Sequence, residues 1–473
     1  MPKRVIVIGG GITGLSAAHR LSELSRDKNL NLEILLLEKS DRPGGVISTI
    51  EKDGFLIEEG PDSFITSKPW GLNLCGRLGL DGELIETNKD NRRTFILRDG
   101  RLVPLPDGFI MLAPTRILPF LRTPLFSWHG KLRMLMDLVI PRKNPQDESL
   151  SSFVRRRLGR EALERAAQPM ISGVYTADPE KLSLRATMPQ FLEMEERYGS
   201  VIKGMYHSYR NRKKSGMSDS GARYSLFVSF RKGMGTLVDA LIKELPGGCI
   251  RLGVTVRDIT ETNDGWDVAT DGGVINASGV IVTTPAHVTG GLIENASKPC
   301  ATLLREIEYA SSAVIIFAYR KEDIERSLDG FGFAVPVVEG SSMIACSFSS
   351  EKFAGRAPEG CTLLRAFVGG AISPEKYRMD DSAITGGVER ELSALLGIKS
   401  KPLFTIIRRH PDAMPQYHVG HLELVERIQR ETNKLKGLVL AGNAFGGVGI
   451  PDCIDSGESA SERLLQSLYE GHF

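Results

Sequence analysis

A short apolar strand that runs into a cluster of glycines and then a helix is the feature that most constrains this fold. Residues 5–8 form a β-branched run typical of a buried parallel strand. The turn that follows consists of Gly9, Gly10, Gly11, Ile12, Thr13 and Gly14, and apolar residues then recur at helical spacing. Gly9 and Gly11 allow a tight turn and a close approach of the backbone to a pyrophosphate, which would face the helix N-terminus. Gly14 allows the helix to pack on the strand.

A second apolar run supports a nucleotide site at this turn. Residues 32–37 read as a strand and end at Glu38, where a carboxylate can bind ribose hydroxyls. A lone glycine pattern would be weak, because an isolated glycine turn is common. Here strand, turn, helix, second strand and terminal acid occur in order, which predicts a dinucleotide site. A side chain at Gly11 is expected to collide with the pyrophosphate and to disfavour a positive φ. The pattern does not separate NAD from FAD.

Composition excludes several classes of protein. The chain has 473 residues, 41% hydrophobic and 25% charged, which is typical of a globular protein of two or three domains. A net charge of +2 implies no polyanionic partner. The six cysteines are far apart and form no CxxC pair, which indicates reduced, buried thiols. No run approaches the roughly 18 apolar residues of a membrane span. We therefore expect a cytoplasmic protein without an integral membrane segment and without nucleic acid as a partner.

The residues after Glu38 favour FAD. Lys39, Arg42 and Gly45 belong to an acid followed by an R-x-G-G turn, and the segment Gly60, Pro61, Asp62 and Ser63 follows. This pattern resembles the superfamily of flavin amine oxidases, phytoene desaturases and protoporphyrinogen oxidases. The resemblance implies that the turn wraps FAD from the pyrophosphate toward the flavin ring. Arg42 suits a phosphate or a flavin carbonyl, and a solvated turn is its alternative.

The resemblance implies that two later segments of the chain also contact FAD. Residues 442–449 contain four glycines after an apolar run, and a helical pattern begins near Pro451. In the superfamily this segment, with Val448, Gly449 and Ile450, returns to the flavin and lines its pyrimidine edge. The positive end of the helix would then stabilise negative charge on the reduced flavin. Residues 250–283 read as strands, and the resemblance implies an adenine-side contact through the backbone near Val254.

Four longer segments narrow the resemblance to the porphyrinogen oxidases. These are EEGPDSF (58–64), ISGVYTADPEKLSL (171–184), MPQYHVGH (414–421) and GVGIPDCIDSG (447–457). The resemblance runs nearly end to end and is closest to soluble bacterial forms of the Bacillus type. It implies a six-electron oxidation of a porphyrinogen, with FAD taking two electrons at a time and O₂ as the acceptor, giving hydrogen peroxide. An amine or carotenoid-precursor oxidoreductase and a plain nucleotide-binding module are the alternatives.

The predicted fold class is α/β (mixed α+β), with three domains assembled from separate segments. A Rossmann-like FAD-binding domain comprises 1–68, 225–300 and 430–473, and a mixed-sheet substrate domain comprises 69–90, 206–224 and 301–429. The helical domain is 91–205. In it, Ser127 caps a run whose predicted core face consists of Leu132, Leu135, Met136, Leu138 and Val139. Packing on its own core is preferred to the bilayer contact that membrane-bound relatives suggest.

The resemblance also implies substrate residues. Lys68 matches a cation that faces a propionate, although a surface lysine is its alternative. Ile171, Gly173 and Val174 match a wall over the macrocycle, and a helix-end glycine is the alternative for Gly173. Two positions depart from the family: Phe367 stands for a tyrosine, and His410 for a tryptophan close to the flavin. Histidine loses stacking area, which puts that flavin contact in doubt. No general base is assigned.

The remaining expectations concern partners and substrate. His418 and His421 are spaced like a metal pair but lack a third ligand, so we expect structural histidines and no metal. The basic clusters Arg155–Arg157 and Arg210, Arg212, Lys213 and Lys214 are expected on solvated surface or at the substrate entrance. With Lys68, the second of these clusters could face extra carboxylates, which favours coproporphyrinogen III over protoporphyrinogen IX. A downstream haem-pathway enzyme is a candidate partner. FAD is expected to be noncovalent, because no cysteine or histidine matches a covalent attachment motif.

Overall fold

The computed structural model describes residues 2–89, 93–110, 113–143, 146–214 and 227–469. The strands are β1 Lys3–Ile8, β2 Leu32–Leu37, β3 Thr49–Lys52, β4 Phe55–Glu58, β5 Phe64–Ile65, β6 Leu84–Glu86, β7 Thr94–Arg98, β8 Arg101–Pro104, β9 Phe109–Ile110, β10 Ala113–Pro114, β11 Phe227–Phe230, β12 Ile250–Arg251, β13 Val256–Thr262, β14 Gly265–Thr270, β15 Gly273–Ala277, β16 Gly279–Val282, β17 Tyr309–Arg320, β18 Gly332–Ala334, β19 Ala345–Phe348, β20 Cys361–Gly369, β21 Phe404–Pro415 and β22 Leu438–Leu440. The helices are α1 Ile12–Asp27, α2 Pro69–Arg77, α3 Ile117–Arg122, α4 Trp128–Leu135, α5 Leu150–Arg157, α6 Arg160–Ala162, α7 Gln168–Tyr175, α8 Leu184–Thr187, α9 Pro189–Tyr198, α10 Val201–Lys214, α11 Gly235–Glu244, α12 Ala286–Leu292, α13 Lys298–Arg305, α14 Ser349–Lys352, α15 Pro374–Arg378, α16 Asp381–Leu396, α17 His421–Thr432 and α18 Ile450–Leu468.

A five-stranded parallel sheet forms the base of the nucleotide region. Its strand order is β12-β2-β1-β16-β22, so it combines strands from the start, the middle and the end of the chain. Helices α1, α11 and α18 cover one face of the sheet. The three-stranded antiparallel sheet β13-β14-β15 and helices α12, α13 and α17 cover the other face. The α/β class that the sequence predicts is confirmed.

A seven-stranded mixed sheet forms the base of a second region of the molecule. Its order is β21-β17-β20-β19-β18-β7-β8, and all neighbours are antiparallel except β18 and β7. One face packs on α16, and the other carries a smaller cluster with the hairpin β3-β4. The predicted helical range 91–205 therefore begins with two strands of this sheet. Burial of Phe95, Ile96 and Leu97 in β7 is the physical reason, because these residues pair with β18 and β8.

Helices α3 to α10 pack around an apolar core of their own. The side chains of Ser127 and Ser149 cap α4 and α5, accepting from the amides of Gly130 and Ser152 at 3.0 and 3.1 Å. A five-residue π-helix, Leu163–Ala167, joins α6 to α7 just before Pro169. Proline lacks the amide hydrogen and disturbs the preceding turn, which accounts for the change of helix type.

The core face predicted for α4 is wrong for all of its residues except Leu135, which packs half-buried on the helical core. Leu132, Met136 and Val139 are 63%, 51% and 77% exposed, whereas Lys131 and Met134 are buried. The α-helix ends at Leu135, and a 3-10 turn follows at Met136–Leu138. This turn breaks the helical periodicity, and so residues that share a face in a continuous helix no longer do so. The exposed side chains Trp128, Leu132, Met136, Leu138 and Val139 are called the α4 ridge below.

Two of the three arginines of α5 do not lie on the solvated surface that the sequence predicted, whereas Arg155 is 51% exposed and pairs with the half-exposed Glu180. Arg157 is fully buried, and its Nε lies 2.5 Å from Oδ1 of the equally buried Asp137. Asp137 also accepts from the Ser200 hydroxyl at 2.6 Å and from the Ile202 amide at 2.9 Å. Arg156 pairs with Glu195 at 2.6 Å. The ion pairs tie α5, α9 and the 3-10 turn together inside the helical region.

The predicted cationic run at the end of α10 lies partly outside the described side chains. Arg210 is exposed. The side chains of Arg212, Lys213 and Lys214 are outside the described part of the structure, so their role stays a prediction. Across the described residues, no helix combines the length and the apolar character needed to cross a membrane.

Candidate cofactor and substrate site

The N-terminal glycine turn lies at the carboxyl edge of the parallel sheet, where ligands of open α/β sheets bind. Gly9 has φ of +105°, and a β-carbon on it would come within 2.7 Å of the Thr283 hydroxyl at the end of β16. A β-carbon on Gly14 would lie 1.9 Å from the Gly9 carbonyl oxygen. Gly14 therefore allows the close packing of α1 on β1. Ile12 and Thr13 are buried in the first turn of α1.

Gly11 differs from its neighbours because the space beside it is open. It is the N-cap of α1 with φ of −70°, so the expected positive φ is wrong for this residue. A β-carbon on Gly11 would have no atom within 4 Å, whereas one on Gly45 would lie 3.2 Å from Gly11 Cα. The Gly44 amide donates to the Gly10 carbonyl at 2.8 Å. Two glycine turns thus meet around open space at a helix N-terminus, and this arrangement fits a pyrophosphate.

Glu38 and Val254 lie beside this turn. The Glu38 carboxylate accepts from the Gly10 amide at 2.6 Å and from the Ser40 amide at 2.8 Å. The Val254 amide donates to the Glu38 carbonyl at 3.0 Å. The two predicted adenosine-side residues are therefore adjacent in space, although they are far apart in sequence.

Arg42 stabilises the second glycine turn, which contains Gly44 and Gly45. Its guanidinium donates to the carbonyls of Gly45 at 2.8 Å and Ile47 at 3.1 Å. Arg42 is exposed, which is compatible with the solvated turn proposed as its alternative, and a contact with a phosphate or a flavin carbonyl stays a prediction. Lys39 is exposed. The guanidinium stabilises the turn that faces Gly11, so it shapes the cradle through the backbone.

The segment 60–63 is held by cations from the seven-stranded sheet and its neighbouring helix. A β-carbon on Gly60 would lie 1.8 Å from the Val46 carbonyl, so only glycine fits there. Asp62 pairs with Lys352 at 2.8 Å and with the buried Arg365 at 3.3 Å. Burial alone would raise the pKa of the Asp62 carboxyl, but the charges of Lys352 and Arg365 hold it well below its usual range. Ser63 donates to Asp62 at 2.7 Å, and Pro61 is half-buried between them and Gly60.

Sequence reasoning missed the two acids that precede this segment. Glu58 is 2% exposed and accepts from the Thr49 hydroxyl at 2.7 Å and the Met234 amide at 2.8 Å. Burial raises the pKa of Glu58. Glu59 accepts from the Ser48 hydroxyl at 2.6 Å and also binds Arg408. The sequence signal that could have identified Glu58 and Glu59 is the occurrence of two consecutive acids directly after the apolar run FLI.

His410 lies next to the same segment. Its Nε2 is 3.0 Å from the Glu59 carbonyl oxygen, and burial lowers its pKa below the usual value. Because a neutral imidazole donates from one nitrogen, this contact orients the ring. The structure therefore places His410 beside the residue that precedes Gly60, and its contact with the flavin stays a prediction.

The C-terminal loop leaves β22 at the edge used by the glycine turn. Gly449 is the N-cap of α18, and Val448 packs on the helical core. The first turn of α18 carries Ile450, which is buried, and the carboxylate of Asp452. A β-carbon on Gly447 would lie 2.4 Å from Asp452 Cγ. The helix end is therefore not simply positive, because an acid occupies its first turn.

Lys68 pairs with this acid. Its Nζ lies 2.5 Å from Asp452 Oδ1, and the lysine side chain is 42% exposed. Burial raises the pKa of Tyr175, at the end of α7, and the charge of Asp452 raises it further. The helical region, α18 and the segment after β5 thus meet at one charged pair.

The structure brings together only some of the residues predicted to form the substrate wall. A β-carbon on Gly173 would lie 4.0 Å from the Ala345 β-carbon, and Ala345 is paired with Phe367 across β19 and β20. Val174 is 59% exposed beside them. Ile171 is 2% exposed and packs in the helical core instead. Gly173, Val174 and Phe367 are thus brought together, while the Ile171 side chain points away from an open surface.

Tyr417 is a further residue that sequence reasoning did not single out, although it lies in the MPQYHVGH segment. Its hydroxyl accepts from the Gly447 amide at 3.0 Å and donates to the Asn443 carbonyl. Its ring stacks on His421 at 4.0 Å. Burial lowers the pKa of His421 to about 4 and lowers that of the half-buried His418. In the described ranges there is no group of three or more His, Cys, Asp or Glu side chains that could hold a metal.

The comparisons with known proteins agree with this geometry. Residues 12–465 match the family model described as flavin containing amine oxidoreductase. The chain is 36% identical over 470 residues to a coproporphyrinogen III oxidase of Bacillus subtilis, covering 99% of each protein. It is 34% identical to a chloroplastic protoporphyrinogen oxidase of Nicotiana tabacum, covering 97% of this chain and 84% of that protein.

A solved structure extends the similarity to three dimensions. It is described as a putative protoporphyrinogen oxidase from Exiguobacterium, with a TM-score of 0.86, 32% identity and coverage of 98% of this chain and 99% of that chain. FAD is the cofactor that the matched family uses, and the open space between the glycine turns fits it. The chain therefore belongs to the flavin-containing amine oxidoreductases, and within them to the family of coproporphyrinogen III and protoporphyrinogen oxidases, as an FAD-dependent oxidoreductase.

Proposed function

We propose that this protein oxidises coproporphyrinogen III to coproporphyrin III in haem biosynthesis. The observation that carries the proposal is the end-to-end similarity to bacterial coproporphyrinogen III oxidases. The geometry supports it, because a cofactor cradle and a partly apolar wall with a nearby cation lie at one edge of the fold. FAD, when bound, accepts electrons in pairs, so three rounds remove six electrons and six hydrogens and convert three O₂ to three H₂O₂.

The chain's own residues would bind and orient the two molecules. The amides and glycines around Gly11 would hold the pyrophosphate, and Glu38 would receive the ribose. Gly173, Val174 and Phe367 would form part of the wall over the macrocycle. Lys68 is our candidate for a substrate carboxylate, because it is partly exposed and its ion pair with Asp452 can be shared. Binding that aligns a bridge carbon with the flavin supplies the orientation that such transfers need.

Protoporphyrinogen IX is the second candidate substrate. The plant relatives and the Exiguobacterium structure are named for its oxidation. It carries two carboxylates where coproporphyrinogen III carries four, so charge anchoring separates the two substrates. We further propose that FAD is held noncovalently, and that the protein works in the cytoplasm, where free cysteines such as Cys75 and Cys453 stay reduced.

The test is a comparison of both porphyrinogens in one preparation without detergent. An oxidised-flavin spectrum is expected first, and acid precipitation should leave the yellow flavin in the supernatant. Porphyrin fluorescence then gives kcat/KM for each substrate at several salt concentrations. We expect coproporphyrinogen III to be preferred, and its KM to rise with salt as the carboxylate contacts are screened. Equal or reversed preference would leave porphyrinogen oxidation in general but not this substrate.

Lys68→Met sharpens the test. The variant should raise the KM for coproporphyrinogen III more than it changes kcat, because it removes a binding contact. Lys399→Met is the matched control, since Lys399 is 68% exposed and pairs with Glu325 away from the site. An unchanged KM for coproporphyrinogen III in Lys68→Met would show that Lys68 does not bind the substrate.

A further inference from the structure

We propose that Tyr417 and His421 are positioning residues for the flavin. The two stacked rings hold the C-terminal glycine loop, residues 442–449, against the cofactor cradle, and so set how tightly FAD is bound. This inference rests on the flavin site in the proposed function. It concerns the retention of the cofactor rather than the identity of the substrate.

The Tyr417 hydroxyl bridges the two ends of one turn of this loop. It accepts from the Gly447 amide at 3.0 Å and donates to the Asn443 carbonyl. The ring is 3% exposed, so neither bond can be replaced easily by water. Gly446 lies between these points, and a β-carbon on it would have no atom within 4 Å. The loop is thus fixed from one side and open on another.

His421 stacks on the tyrosine that holds this turn. Its ring lies parallel to that of Tyr417, with an angle of 13° between the planes, and is also 3% exposed. The Ala444 backbone acts on the pKa of this ring, and the ring's Nε2 has no hydrogen-bond partner in the described part of the structure. The Tyr417 hydroxyl therefore holds Asn443 and Gly447 of the loop, and His421 holds the Tyr417 ring in place by stacking on it.

The pair is anchored outside the parallel sheet. The Ser183 amide donates to the Tyr417 carbonyl at 2.7 Å, and the Gln416 amide donates to the Glu308 carbonyl at 2.9 Å. The Tyr417 ring packs in the core of the helical region. A glycine-rich backbone has many accessible conformations. The loop therefore takes its position from the helical region and from the end of β21.

Tyr417→Phe tests the inference because it keeps the ring and removes both hydroxyl bonds. Tyr319→Phe is the matched control: Tyr319 is fully buried, and its hydroxyl has no hydrogen-bond partner within the described structure. FAD release from each holoenzyme on dilution, followed by the gain in flavin fluorescence, gives the dissociation constant. We expect it to be about tenfold higher in Tyr417→Phe, as for a buried hydrogen-bond network left unpaired, and unchanged in Tyr319→Phe.

The visible spectrum and the thermal midpoint are recorded for the same samples. A purely structural role predicts a lower midpoint with unchanged FAD affinity and spectrum, and that result would overturn the inference. Should Tyr417→Phe fail to fold, His421→Phe keeps the stacked ring and removes the polar ring nitrogens beside the Ala444 backbone, and the same increase in FAD release is expected. Wild-type FAD retention in a folded His421→Phe would then overturn it. Failure of the wild-type holoenzyme to oxidise porphyrinogens would contradict the proposed function instead.

Discussion

Glycines in the first turn serve two different purposes. Gly14 gives α1 and β1 room to touch, and Gly11 leaves space that another molecule can occupy. The distinction depends on which atoms a β-carbon would meet, so it is not visible in the spacing of the glycines. The sequence predicts the turn, but it assigned a positive φ to Gly11, and the structure gives that conformation to Gly9.

Gly11→Ala should separate cofactor binding from folding. Its φ of −70° suits alanine, and nothing lies within 4 Å of the added carbon, so the variant should unfold at the wild-type temperature when FAD is absent. FAD should bind at least tenfold more weakly, because the methyl group occupies the pyrophosphate space. Gly14→Ala is the comparison, and it should fold poorly with or without FAD. Differential scanning fluorimetry with FAD titration measures the unfolding temperature and the FAD affinity of each variant. Normal FAD binding by Gly11→Ala would show that the pyrophosphate does not lie beside Gly11.

His421 should make stability depend on pH. Its pKa is lowered from 6.5 to about 4 in the folded state, so the unfolded chain binds more protons between these values. The free energy of unfolding should therefore fall as pH drops from 7 to 5, with His421 contributing about 2 kcal/mol of that loss.

Urea unfolding at several pH values checks this expectation. Removing the titrating group in His421→Phe should flatten the pH dependence by that amount. The buried His410 and the half-buried His418, whose pKa values are also lowered, would still contribute to the slope that remains. A variant as steep as the wild type would contradict the assignment.

At the scale of elements, the α4 ridge shows where periodicity misleads. The pattern from Leu132 to Val139 is that of an amphipathic helix, yet all of its predicted core residues except Leu135 are exposed. A buried acid, Asp137, draws the 3-10 turn inward to Arg157 and turns the apolar residues outward. That contact joins residues twenty positions apart, and no local pattern contains it. The serine caps of α4 and α5 were predictable, since a cap depends on a few adjacent residues.

Leu132→Asp should therefore have little effect on stability. The side chain is 63% exposed, so we expect a change of less than about 1 kcal/mol. Met134→Asp, two residues further on the same helix, should destabilise by more than about 3 kcal/mol, because Met134 is fully buried. Urea midpoints of the two variants decide between the observed and the predicted face. An equal loss of stability in the two variants would indicate that Leu132 is buried, as the sequence predicted.

For the whole molecule, ion pairs join the segment that follows the β3-β4 hairpin to the seven-stranded sheet and to α14. Glu59 binds Arg408, and Asp62 binds Lys352 and Arg365. These partners come from positions some 290 to 350 residues away in the chain. The interface holds Gly60 and His410 beside each other, so its geometry is also that of the site.

Asp62→Asn should weaken this interface. It leaves the buried Arg365 and the largely buried Lys352 with less compensation, so a loss of about 3 kcal/mol is expected. Hydrogen exchange should rise in β20 and in residues 60–65 before it rises in the parallel sheet. Glu325→Gln is the control, because its pair with Lys399 is exposed and should leave stability unchanged. Uniform exchange throughout the molecule would argue against a local interface effect.

The parts of the fold that the sequence revealed are those built from neighbouring residues. The strand, turn and helix around Gly9 and the strand before Glu38 are contiguous, and their apolar runs are regular. By contrast, β7 and β8 join a sheet whose other five strands lie between Tyr309 and Pro415, and the link is a parallel pairing of β7 with β18. Such a pairing depends on which chain segments meet, and this is not encoded in local periodicity.

The order of strands in the parallel sheet has a consequence for synthesis on the ribosome. The Ser461 hydroxyl in α18 donates to the Ala17 carbonyl in α1 at 2.9 Å, across 444 positions of sequence. At 5–20 residues per second, the early strands wait roughly 20–90 s for this partner. The first glycine turn therefore emerges long before the sheet that supports it is complete. We therefore expect cofactor loading to come at the end of translation, when β22 and α18 complete the sheet and its covering layer.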